Sequence, residues 1–97
     1  GSSGFSAFSS AKFALRAVSQ SMARELGPEG IHVAHFVIDG AIDTAFIKEM
    51  FPDIYALKEK DGILKPEAIA DAYWFVHTQH RSAWTHEIDL RPYMEKF

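Results

Sequence analysis

Cysteine is absent from the chain, which excludes a disulfide framework and any thiolate metal site. No apolar run approaches the ~20 residues that a membrane span needs. Basic residues form no stripe along any stretch, so a nucleic-acid partner is not expected. The net charge is −3 and mixed in sign. The first residues, Gly1-Ser2-Ser3-Gly4, lack the charged start and apolar core of a signal peptide. The expectation is therefore a cytoplasmic protein with no membrane partner. A glycine-rich phosphate turn of the form G-x-G-x-x-G is missing too. Gly27-Pro28-Glu29-Gly30 follows a helical pattern and precedes a strand pattern, the reverse of what a phosphate loop requires.

What is present is apolar. Of 97 residues, 47% are hydrophobic and 13% aromatic, too many for a disordered chain. A chain of this length buries only roughly 60–65% of its unfolded surface. The apolar excess therefore points to faces meant for other partners.

The pattern predicts a helix from Phe5 to Leu26. Phe8, Ala11, Leu15, Val18, Met22 and Leu26 recur at steps of three or four and make one apolar stripe. Phe13, Ala14 and Ala17 lie off that stripe, so the helix asks for two partners. The Gly27 to Gly30 turn ends it. Ile31 to Ile38 is short, nearly continuous and rich in β-branched residues, which predicts a strand covered on both faces. Thr44 to Lys60 reads as one or two short helices broken near Pro52. Lys65-Pro66-Glu67 opens another helix, with Ile69, Ala72, Tyr73 and Val76 as its buried stripe. A last strand is expected at His86 to Leu90, followed by a tail from Arg91 to Phe97.

Two strands joined through a helix are expected to run parallel, with a right-handed crossover. Two parallel strands make no independent sheet, because they need neighbours and cover on both faces. The first helix also asks for a strand before it. The architecture is missing its beginning.

The segment Phe8-Ser9-Ser10-Ala11-Lys12-Phe13-Ala14-Leu15 resembles the active-site helix of short-chain dehydrogenases/reductases, which carries Tyr-x-x-x-Lys. Ala23-Arg24-Glu25-Leu26-Gly27 and Gly30-Ile31-His32-Val33 resemble the rest of that helix and the strand after it. Asp39-Gly40-Ala41-Ile42-Asp43-Thr44 stands where the family has Pro-Gly-x-x-x-Thr. Pro66-Glu67-Ala68-Ile69-Ala70 resembles its penultimate helix. The resemblance implies an α/β chain: the C-terminal part of a doubly wound parallel-sheet (Rossmann-like) fold, with two parallel strands and flanking helices. Residues 1–97 would form the C-terminal portion of a single domain. Its parts would be the active-site helix and strand in 1–44, a lid in 45–64, and the last helix, strand and tail in 65–97.

The same resemblance implies an NAD(P)-dependent oxidoreductase acting on a small carbonyl or alcohol, assembled as a homo-oligomer. The cofactor, NAD or NADP, would bind the full-length protein only. Lys12 would hydrogen-bond the nicotinamide ribose and lower the pKa of the catalytic phenol. Gly40 would let the backbone approach the cofactor, and the Ile42 main chain and Thr44 would meet its carboxamide and phosphate region. Apolar lid residues such as Phe46, Ile47, Met50 and Phe51 suit a partly apolar substrate, or simply pack. Ala14, Ala17 and Ser21, small residues on one side of the first helix, suit close packing between subunits.

Two positions depart from the family. Phe8 stands at the tyrosine position, and a phenyl ring donates no proton. Asp39 replaces the usual proline and alters the charge beside the nicotinamide pocket. The family's catalytic serine would lie upstream of Gly1, and its catalytic asparagine has no counterpart, since the chain contains no asparagine. The isolated chain is thus expected to be inactive. The alternative is a non-catalytic binding or assembly module of the same type.

The histidines carry no metal expectation. His32 and His35 are three apart on a strand and should face opposite ways, whereas His77 and His80 read as capping or solvated. Lys12 on its own would read as a surface lysine lying past apolar neighbours. Thr44 doubles as a helix N-cap, Asp43 as a cap or a solvated carboxylate, and Tyr55 as a lid residue within reach of the site.

Overall fold

No glycine or proline interrupts the chain between Ser6 and Leu26, and this stretch is one helix, α1 (Ser6–Leu26). The computed structural model describes residues 6–95. The expected helix start at Phe5 and the last two residues of the tail, Lys96 and Phe97, lie outside the described residues. Beyond α1, a 3-10 turn (Gly27–Glu29) leads to Gly30, whose φ of 85° supplies the left-handed cap.

Strand β1 covers His35–Ile38, half the length that the apolar run predicts. Its partner sets the limit. Strand β2 covers only Glu87–Leu90, and the two pair in parallel from His35 opposite Glu87 to Ile38 opposite Leu90. Upstream of the ladder, side chains rather than backbone join the same two segments. His32 Nε2 donates to the Thr85 carbonyl at 2.7 Å, and the His32 ring stacks on Trp84 at 4.5 Å. His86 Nδ1 donates to the Val33 carbonyl at 3.1 Å.

The segment after β1 breaks into α2 (Ala45–Met50), α3 (Pro52–Tyr55) and a 3-10 turn (Ala56–Lys60). The break falls at Pro52, as its missing N–H dictates. Helix α4 (Pro66–His77) starts at the expected proline. It lays Val76 into the core, and its Tyr73 ring stacks on Phe36 of β1 at 3.8 Å.

The core is small. Ile63, Leu64 and Val76 are the buried hydrophobic residues among those described. Both apolar stripes of α1 are open: Phe8 is 63% exposed and Phe13 66%. Leu15, Val18 and Met22 are exposed as well, and so is Tyr73, which the sequence places in a buried stripe. What holds α1 to the sheet is polar. Arg16 forks onto Glu87, Nε to Oε1 at 2.7 Å and Nη2 to Oε2 at 2.9 Å, and Ser19 Oγ lies 3.5 Å from His35 Nδ1.

Candidate active site at the carboxyl ends of the strands

In open parallel sheets, ligands bind outside the carboxyl ends of the strands. In this chain that end is β1 at Asp39 and β2 at Arg91. A cavity of about 280 Å³ runs between α1 and β1 and reaches Asp39. Phe8, Lys12, Phe13 and Arg16 of α1 form one wall, and residues 35–39 form the other. The Lys12 ammonium sits 5.3 Å from the centroid of the Phe8 ring, a cation–π contact. No ion pair to a carboxylate holds Lys12 among the described residues.

The turn after β1 is tied down twice at Asp39. The Asp39 N–H donates to the Leu90 carbonyl at 2.9 Å, extending the ladder by one rung. Asp39 Oδ2 meets Arg91 Nη1 at 3.2 Å. Gly40 has φ of 132°, and a Cβ there would stand 2.9 Å from Pro92 Cδ. Arg91 also forks onto Asp89, with Nε to Oδ1 at 3.1 Å and Nη2 to Oδ2 at 2.6 Å. The Asp89 carboxylate, ahead of Asp39, raises the guanidinium pKa further.

Ile42 and Thr44 lie farther along the same turn and are absent from the walls of the Lys12 cavity. Ile42 bridges Leu64: the Asp43 N–H donates to the Leu64 carbonyl, and the Leu64 N–H to the Ala41 carbonyl, each at 2.8 Å. Thr44 Oγ1 accepts from the Ile47 N–H at 3.3 Å and so caps α2. Of the five residues singled out from the sequence, then, Phe8 and Lys12 share a cavity. Gly40, Ile42 and Thr44 follow one another on the adjoining turn.

Tyr55 belongs to a different place. It lines a cavity of about 510 Å³ with Asp43 and Lys58. Lys58 Nζ lies 2.9 Å from Asp43 Oδ2 and donates to the Tyr55 hydroxyl at 3.4 Å. Asp43 first, then Tyr55, holds the Lys58 ammonium above the ordinary lysine pKa of 10.5. Asp43 is therefore neither a cap nor merely solvated. His32 and His35, expected to face opposite ways, line one cavity of about 780 Å³ together with His77. The alternation of a strand does not apply to them, since His32 precedes β1. No group of three histidine, aspartate or glutamate side chains could hold a metal ion among the described residues.

The chain matches a solved structure of a short-chain dehydrogenase from Rhodopseudomonas palustris, with 48% identity and a TM-score of 0.64. The resemblance is to a short-chain dehydrogenase. It extends over 96% of this chain, which spans about a third (32%) of the length of that dehydrogenase. The fold is accordingly α/β, a pair of parallel strands with flanking helices that matches part of a Rossmann-like sheet. No protein-family model and no curated protein matches the chain. No helix among the described residues is long and apolar enough to cross a membrane.

Sequence reasoning missed Arg91, assigning it to an idle tail. The available signal was its position directly after a strand that runs parallel to one ending in aspartate. Glu87 as the partner of Arg16 left no such signal, because nothing in the sequence relates the middle of α1 to the start of β2.

Proposed function

We propose that this chain belongs to a short-chain dehydrogenase/reductase, and that it supplies the C-terminal part of an NAD(P)-dependent oxidoreductase. The observation that carries the reading is the 48% identity to a dehydrogenase over 96% of the chain. The position of Lys12 supports it, on a cavity wall beside the carboxyl end of a parallel strand. The residues present fit one end of a nicotinamide cofactor. Lys12 offers an ammonium that no carboxylate neutralises among the described residues, suited to the hydroxyls of a ribose. The turn from Gly40 through Ile42 to Thr44 offers main-chain groups and a hydroxyl. The cofactor would supply the hydride exchanged with a small alcohol or carbonyl.

The chain spans about a third of the matched dehydrogenase's length, so on its own it offers a single wall of the site and is inactive. Residues 45–64 act as the lid, and residues 65–97 comprise the last helix, strand and tail. The open face of α1, with Ala14, Ala17 and Ser21 exposed, is suited to a homo-oligomer contact, and the expected compartment is the cytoplasm.

Fluorescence titration with NADPH and NADH tests the reading. The full-length protein should bind at least one of the two, and the 97-residue chain neither. A full-length protein that binds neither cofactor would falsify it.

Phe8 favours a second reading, a dehydrogenase-like module that binds or assembles without catalysis. The Phe8→Tyr variant of the full-length protein separates the two. A large gain of reductase activity from an inactive background marks a decayed enzyme. Activity already present and unchanged shows that another group donates the proton.

A further inference from the structure

Two positions break the pattern that the rest of the chain follows, the phenyl ring of Phe8 and the carboxylate of Asp39. They are distant in sequence, yet both line the cavity that holds Lys12. We infer that Asp39 is the proton-transfer group of this site, in the role that a phenol at position 8 would fill. The inference rests on the oxidoreductase reading and names its acid–base residue.

The geometry suits the role. The Asp39 side chain is 45% exposed, so a substrate in the cavity has access to it. Its backbone is fixed by the hydrogen bond to the Leu90 carbonyl. Its Oδ2 faces Arg91 at 3.2 Å. Arg91 is in turn oriented by its fork onto Asp89. It therefore serves as a positioning residue that aims the Asp39 carboxylate. Lys12 places a positive charge on the facing wall of the same cavity, where it favours negative charge developing on a substrate oxygen.

The tyrosines are placed elsewhere. Tyr55 lines the Lys58 cavity, Tyr73 stacks on Phe36, and Tyr93 is 78% exposed and lines neither cavity. His35 shares the Lys12 cavity but sits at the amino end of β1, 8% exposed, with Nδ1 toward Ser19.

In the oxidative direction the Asp39 carboxylate takes the hydroxyl proton of a secondary alcohol while the carbinol hydride passes to an oxidised nicotinamide. The O–H and C–H bonds break and the carbonyl π bond forms. The alcohol is oxidised, the nicotinamide is reduced, and Asp39 is left protonated. Reduction of a carbonyl runs the same steps in reverse.

The test compares wild-type full-length protein with Asp39→Asn, using NADPH and NADH fluorescence titration and oxidation of 1-phenylethanol with NADP⁺ and NAD⁺. Asp39→Asn should bind cofactor as the wild type does and lose on the order of 100-fold in kcat, the usual contribution of general acid–base catalysis, with KM little changed. Asp39→Glu should keep part of the rate, and adding Phe8→Tyr to Asp39→Asn should recover it. Arg91→Ala should lower kcat with cofactor affinity intact, and Arg91→Lys should restore part of that loss.

An Asp39→Asn protein at the wild-type rate overturns the assignment. So does one that loses cofactor binding and turnover together, since Asp39 would then be structural. A wild type that binds cofactor without oxidising the probe overturns this inference alone and favours the binding module. A wild type that binds neither cofactor overturns the oxidoreductase reading with it.

Discussion

Asp39 and Arg91 face each other across the carboxyl ends of β1 and β2, with Oδ2 3.2 Å from Nη1. The same guanidinium holds Asp89 at 2.6 Å, so one cation joins the ends of both strands. Replacing Arg91 with alanine leaves two carboxylates without it. The urea midpoint of the full-length protein should fall. Arg91→Lys should recover only part of the loss, because an ammonium cannot fork as a guanidinium does. Equal midpoints for the three proteins would remove the guanidinium from any structural role.

Gly40 carries the second expectation. Its φ is 132°, and an added Cβ would stand 2.9 Å from Pro92 Cδ, so Gly40→Ala meets both backbone strain and a steric contact. A loss of about 1–3 kcal/mol is expected, read by chemical denaturation. Adding Pro92→Ala should relieve the contact and leave the strain, so the double variant should recover only in part.

How much of this was legible in the sequence differs between elements. Helix α1 and the proline-started α4 were readable because period, proline and glycine act locally. The four-residue length of β1 was not, because a ladder is only as long as its partner, and upstream of it the side chains of His32, Trp84 and His86 join the two segments. That Phe8 and Lys12 share one face of a helix was legible from their spacing, one turn apart. That Asp39 shares their cavity, and that Arg91 holds it, depends on the parallel register of two strands distant in sequence. No local pattern encodes that register.

Lys58 gives a pH-dependent expectation. Its folded-state pKa lies above 10.5, chiefly through Asp43. A raised pKa contributes stability that is fully present below the unfolded value and disappears as pH rises through the folded one. Wild type and Lys58→Met should therefore differ at neutral pH and converge as pH rises past 10.5. Denaturation midpoints across that range check it. Convergence already near neutral pH would mean that the ion pair does nothing for the fold.

The 97-residue chain on its own should be poorly monodisperse. Phe8, Phe13, Trp74 and Phe75 are each more than 60% exposed, and large exposed apolar side chains favour association. Sizing chromatography should show species larger than a monomer, with dye binding typical of exposed apolar surface. A clean monomer with cooperative unfolding would mean that the small core of Ile63, Leu64 and Val76 suffices.

The bridge between Ile42 and Leu64 makes the intervening stretch a loop with a fastened neck. Whatever lies between those two residues starts and finishes at fixed points, whichever way it folds. Where a connection is flexible, doubling its length costs only about 0.6 kcal/mol. The neck is thus a natural splice point. Segments of other sequence could be exchanged there while the residues beneath keep their places.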